Sequence, residues 1–260
     1  IPDDRLDDRR LLLSHLDRLR RNLDGSGALA GLGNLQQQAF DVILGGVAEA
    51  FDLTKEDPRT LARYDTSKLY DVSKIDKRWN NHKNYRDHAN SLGHLMLLAR
   101  RLCERGCGFV TVTTNFVWDF HADQNNATVR EGMDYVGTPF DHAASAFIED
   151  IYARGLEDKI LLVACGEMGR TPRVNAKGGR DHWGKLAPLM LSGGGLNMGQ
   201  IIGSSTRDGG EPASGAVGVD NLIASLMHTL IDIPKLRTVS GIPADALRAL
   251  TASNPIPGLF

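Results

Sequence analysis

Cysteine is scarce in this sequence: Cys103, Cys107 and Cys165 are the three in a chain of 260 residues. An odd number without disulfide spacing excludes a disulfide framework and reads as small buried thiols. Cys103 and Cys107 share a helical face, yet no His or Cys pair follows at zinc-ribbon spacing, which argues against a metal half-site there. An excess of either charge is also missing. With 30 basic and 32 acidic residues the formal net charge is −2, so no basic field exists to gather nucleic acid or anionic lipid. No apolar run approaches the ~20 residues that a membrane span needs. Neither the GxGxxG nor the P-loop phosphate signature occurs, and the glycine triplet at 193–195 replaces neither. The opening residues, from Ile1, do not read as a secretory leader. The expectation is a processed product or a fragment, and the small number of strands found below favours a fragment.

What is present is a 42% hydrophobic chain long enough for a sizeable core, expected as one domain with appendages. Residues 1–51 read as a helical segment packed on that core. Leu12, Leu16, Leu19 and Leu23 line one face, over too few heptads for a coiled coil. Residues 52–86 are polar and rich in turn formers, and read as a surface excursion or lid. His82 and His88, beside Trp79 and Tyr85, are read there as solvated surface. From 87 to 235 helical and strand patterns alternate. HANSLGHLMLLARRLCERG is helical, and GFVTVTTN is a short β-branched strand. TPFDHAASAFIEDIYARG is a helix with Thr138 as N-cap, Pro139 in its first turn and Asp141 completing a capping box, beside which His142 needs no ligand. KILLVACGEMG and APLMLSGGGL are strands, GQIIGS a short one, and VDNLIASLMHTLI a helix. Strands alternating with helices imply an α/β fold: a mostly parallel sheet flanked by helices, with the N-terminal helical segment and a tail at 236–260 appended.

In such a sheet, ligands gather beyond the carboxyl ends of strands. Polar clusters sit at that edge: Asp119 and His121 after the first strand; Glu167, Arg170, Arg180, Asp181 and His182 after the second. In an extended segment Asp119 and His121 point the same way, a divalent-metal half-site that Glu167 and His182 would complete with mixed oxygen and nitrogen ligands. The spacing fits equally a salt-bridged network holding two connections together. Arg170, Arg173, Lys177 and Arg180, set among glycines, also suit an anion such as phosphate or sulfate, with Arg173 and Lys177 expected in solvent. Trp183 is read either as a pocket wall or as core.

The ordered set WDFH, FDHAASAFIEDIYARGL, LLVACGEMGRTP, GRDHW and LSGGGL resembles the bacterial sulfatase-like proteins grouped as the domain-of-unknown-function 1501 family. That group is related to the alkaline-phosphatase-like superfamily. The similarity covers about residues 5–233 and is most specific over 118–195. The resemblance implies a partial alkaline-phosphatase-like α/β sandwich and metal-dependent hydrolysis of a sulfate or phosphate ester, using a divalent ion (Zn, Mn, Mg or Ca). It implies metal ligation by Asp119 and His121, from the Trp-Asp-x-His motif. Glu167 matches the place of the Asp in a Ser-Asp-His-Gly turn, and His182 a later His ligand. On this reading Arg170 and Arg180 steady the anion, and Asp181 orients His182 or supports it from outside the ligand set. Two departures stand out. The usual exported leader and the first strand with its Gly-Gly-x-Ser…Asp segment are absent, and so is the Cys/Ser-x-Pro-x-Arg signature, so no cysteine is a candidate nucleophile. Met168 stands where Phe is more frequent. The resemblance places the protein in the periplasm or outside the cell, acting on a small anionic ester or sulfated glycan. The alternatives are a non-catalytic binder of an anionic glycan or protein partner, and a purely structural cluster.

Overall fold

The computed structural model describes residues 47–260, except 116, 117, 237 and 240; the leucine-lined N-terminal stretch lies outside the described residues. The chain divides into two compact units, Ile1–Leu61 with Leu97–Val112, and Ala62–Met96 with Thr113–Phe260. Among the described residues no helix is long and apolar enough to cross a membrane.

Among its described residues the first unit carries a buried charge cluster. Arg100, 1% exposed, donates to Glu56 at 2.7 Å and to Glu104 at 2.5 Å, while Arg101 reaches Glu56 at 2.8 Å and the Ala50 carbonyl oxygen at 2.8 Å. Burial pushes the Glu56 carboxyl up, but hydrogen bonds from Arg101 and Arg100, with the Arg100 charge, more than offset it and hold it at about 2.

Helix α1, Pro58–Tyr64, starts where Asp57 accepts from the Arg59 and Thr60 amides at 2.8 and 3.1 Å, with Pro58 in the first turn, where no N–H is needed. Helix α2, His82–Glu104, begins in the second unit and buries Tyr85, His88, Ala89, Leu92 and Met96 there at helical spacing. His88, expected in solvent, is 3% exposed. Its Nε2 lies 3.3 Å from the Val136 carbonyl and its Nδ1 2.9 Å from Thr114 Oγ1. A carbonyl only accepts, so Nε2 carries the proton, and burial pushes this ring's pKa down. Residues of the polar 52–86 stretch also turn inward: Ile75 and Trp79 join Tyr85, Phe120, Ala127, Tyr135 and Val136 in one core cluster.

Helix α3, Thr138–Ala153, has the expected extent but a different beginning. The capping box sits ten positions earlier in the chain, at Thr128 and Glu131, opening a short turn, Val129–Gly132, that runs through a π-turn, Met133–Gly137, into α3. Thr138 is already helical (φ −60°, ψ −49°), so it has no open N-terminus to cap.

Among the described residues the expected mostly parallel sheet is not formed, and with it the alkaline-phosphatase-like sandwich is overturned. The described strands make three antiparallel pairs: β1 (Leu161–Cys165) with β4 (Leu189–Gly193), β2 (Gly169–Arg170) with β3 (His182–Trp183), and β5 (Ser204–Ser205) with β6 (Pro212–Ser214). Register runs from Leu161 opposite Gly193 to Cys165 opposite Leu189. A parallel pair needs a crossover that returns the chain to its starting end, usually a helix. Between β1 and β4 the chain instead reverses through the nested β2–β3 ribbon, so the two strands run in opposite directions. The stretch 108–115 is no strand, and Phe109 is 80% exposed; β-branched residues favour extended backbone but form a ladder only with a partner, and none of the described strands pairs with it. Of the expected strand at 199–204 only Ser204 is paired. Leu161, Leu189 and Leu191 pack with Leu196, Ile256 and Leu259, which brings the C-terminal tail onto the β1–β4 pair. Helix α4, Val219–Leu230, matches its sequence pattern.

Candidate metal centre

Phe120 fixes the first half of the site. Its ring is 6% exposed and lies so close to Gly132 that a Cβ there would come within 2.2 Å of Phe120 Cδ1. In extended backbone successive side chains alternate in direction, so an inward Phe120 turns Asp119 and His121 together to the other side. The chain then bends through Ala122 (φ 53°) into a turn that Asp123 closes by accepting from the Asn125 and Asn126 amides at 2.8 and 2.7 Å. Burial raises the Asp123 pKa and these amide hydrogen bonds lower it, with a net lowering. Amides of Asn80 and Asn81 donate to the Gln124 and Asn125 carbonyls, and the Ala127 amide donates to the Tyr85 hydroxyl, pinning the turn to the start of α2.

The β2–β3 ribbon brings the second half. Its register sets Arg170 opposite His182. The loop between them folds on Asn175, whose Oδ1 accepts from the Lys177 and Gly179 amides at 3.0 and 2.9 Å. Asn175 Nδ2 donates to the His121 carbonyl at 3.2 Å, and the Arg180 amide to the Phe120 carbonyl at 2.8 Å. This docking requires glycine at 179, since a Cβ would sit 2.1 Å from the His121 carbonyl carbon.

Asp119, His121 and His182 therefore converge. His121 Nε2 lies 3.1 Å from His182 Nε2 and 3.5 Å from Asp119 Oδ1, which is 3.6 Å from His182 Nε2. Three atoms at these separations share a point about 2.0 Å from each, the length of a zinc–nitrogen or zinc–oxygen bond. Asp119 Oδ1 is buried and accepts no aligned hydrogen bond, although Arg170 Nη2 lies against it as a charge contact. Two nitrogen lone pairs and a carboxylate oxygen around one point fit a divalent ion, and Zn, or Mn where the carboxylate dominates, suits the set better than Mg and Ca, which need more oxygen ligands.

The other sequence candidates fall around this centre. Glu167 is exposed and outside the converging group. Arg170 Nη1 and Arg180 Nε are buried without hydrogen-bond partners. Asp181 faces His121, not His182: its Oδ1 lies 3.6 Å from His121 Nδ1. Trp183 Nε1 donates to the Gly210 carbonyl at 2.6 Å, tying β3 to the turn between β5 and β6. His82 and His142 meet backbone carbonyls of Trp79 and Arg63 at 2.9 and 2.8 Å. An open hollow of about 510 Å³ adjoins His121, edged by Asp123, Asn175, Lys177 and Asp181. Asn175 belongs to no motif in the sequence; its one signal is an Asn four positions before a Gly in a turn-forming run.

A family model described as "Protein of unknown function (DUF1501)" matches residues 1–240. No curated protein and no solved structure matches the chain.

Proposed function

This chain belongs to the DUF1501 family, and from that premise we propose that it is a metal-dependent hydrolase-like domain acting on a sulfate or phosphate ester. The observation that carries the reading is the convergence of Asp119 Oδ1, His121 Nε2 and His182 Nε2 from two separate connections. The motif resemblance to sulfatase-like proteins supports the ester class. That support comes from the residues themselves and needs no parallel sheet.

His121 and His182 would hold the ion through neutral imidazole nitrogens and Asp119 through its carboxylate. When bound, a divalent ion supplies Lewis acidity toward an ester oxygen and acidifies a bound water. Arg170 holds the Asp119 carboxylate from the side and balances its charge. Arg170 Nη1 and Arg180 Nε, buried without partners, are donors for the oxygens of an anion once the side chains turn toward it. His182, with a side chain 55% exposed, leaves the centre open on its side.

A second reading, a non-catalytic binder of anionic glycans or an anionic partner, draws on two observations: Asp119 is already charge-paired with Arg170, and Lys177 edges the open hollow beside His121. Metal analysis of the purified protein, stripped and reloaded with Zn or Mn, is the deciding experiment. We expect one ion per chain, lost in His121→Ala and His182→Ala and kept in Glu167→Ala, with hydrolysis of p-nitrophenyl phosphate or sulfate that follows the ion. Retained metal with no hydrolysis and salt-sensitive binding of a sulfated glycan selects the second reading. A protein that takes up no ion sinks the hydrolase reading, and salt-sensitive binding of a sulfated glycan by that metal-free protein selects the second.

A further inference from the structure

We propose that Asp181 and Asn175 form a positioning arm that fixes the His121 ring as its Nδ1–H tautomer, leaving the Nε2 lone pair turned toward Asp119 and His182. The inference rests on the reading of those three residues as a metal centre and adds residues to it. Nothing in the ligand geometry alone decides which nitrogen of His121 carries the proton. A neutral imidazole has one N–H and one lone pair, and its surroundings choose between them. On one side Nε2 faces a carboxylate oxygen at 3.5 Å and a second imidazole nitrogen at 3.1 Å. That pair by itself would draw a proton to Nε2 and close the site to a cation. On the other side Nδ1 faces Asp181 Oδ1 at 3.6 Å, a charge contact that favours the proton at Nδ1.

The arm is anchored. Asp181 exchanges two hydrogen bonds with Thr171: its amide donates to Thr171 Oγ1 at 3.1 Å, and its carbonyl accepts from the Thr171 amide at 2.9 Å. Asn175 Nδ2 bridges the His121 carbonyl at 3.2 Å and Asp181 Oδ1 at 3.5 Å, so one side chain ties the Asp181 carboxylate to the His121 backbone. Asp119, which also faces the ring, is held by the Arg170 guanidinium, and this charge contact weakens its competition for the His121 proton. His182 then has freedom to donate to His121 Nε2 when no ion is bound or to present its own lone pair to an ion.

Nitrogen-15 NMR of the histidine rings in metal-free protein at alkaline pH, where imidazoles are neutral, reads the tautomer directly. The His121 signals are assigned with His121→Ala. The expected result is a protonated Nδ1 and a bare Nε2 in the wild type, and loss of that preference in Asp181→Asn. Zn or Mn affinity should fall about 10- to 100-fold in Asp181→Asn. Asn175→Ala should move both readouts in the same direction by a smaller amount. Because Asp181 has a side chain 62% exposed, Asp181→Asn should fold, and it decides the matter should Asn175→Ala not fold. A wild-type ring protonated at Nε2, or an Asp181→Asn protein with unchanged tautomer and affinity, overturns the arm. Failure of the metal-centre reading looks different: the wild type then binds no ion, whatever the tautomer shows.

Discussion

Gly179 decides whether the two halves of the centre can meet. Its missing side chain leaves room for the His121 backbone, and an added Cβ would overlap the His121 carbonyl carbon and oxygen, both at 2.1 Å. Backbone cannot swing aside as a flexible side chain can. Gly179→Ala is therefore expected to destabilise the second unit by about 1–3 kcal/mol and, on the proposed metal-centre reading, to weaken metal uptake together with it, measured by urea unfolding and by metal titration. At this scale the sequence was partly legible. The i, i+2 pair Asp119 and His121 flanks an apolar Phe120, and alternation in an extended segment turns the pair to one side. The same alternation explains why Asp181 does not serve His182. Neighbours on an extended segment point opposite ways, and Asp181 faces His121 instead. Glu167 matches a ligand by motif position, but it is exposed and its carboxylate is not among the atoms that converge on Asp119, His121 and His182.

Among the elements, the turn at Thr128 has the clearest energetic role. Thr128 Oγ1 accepts from the Glu131 amide at 3.3 Å, and Glu131 Oε2 accepts from the Thr128 amide at 3.3 Å. Thr128→Ala should cost about 1 kcal/mol, read as a shift in the denaturant midpoint without a change in slope, whereas Thr138→Ala should cost less because Thr138 caps nothing. Two Thr-x-x-acid sequences lie ten positions apart, and the pattern alone does not say which one stands at a free helix end. Helices α2, α3 and α4 were legible because their apolar spacing is local and repeats over several turns. Strand direction was not. β1 and β4 read correctly as apolar strands, but whether they pair parallel or antiparallel depends on the route between them, which no local pattern records.

For the molecule as a whole, acid is the informative stress. Glu56 has a folded pKa of about 2 against an ordinary 4.5, so its contribution is complete above 4.5 and is lost as the pH falls toward 2. A shift of this size corresponds to about 3 kcal/mol. Glu56→Gln should flatten the fall in stability across that window, in urea melts at a series of pH values, while lowering stability at neutral pH because Arg100 loses a partner. Acid sensitivity unchanged by the substitution would place the titrating groups elsewhere. Composition announced none of this: the 30 basic and 32 acidic residues nearly balance, and the balance hides where a pair is buried.

The sequence by itself determined the absence of a basic field, the major helices of the second unit, the two apolar strands and the residue types needed for a mixed nitrogen and oxygen centre. Each of these follows from composition or from a periodicity a few residues long. Tertiary structure alone decided that the strands run antiparallel, that His88 and Trp79 are buried, that Glu167 stands apart, and that Asn175 and Asp181 attend His121. Those outcomes depend on where distant segments are brought together, and contact between segments is set by packing and backbone hydrogen bonding across the fold, which short-range patterns do not encode.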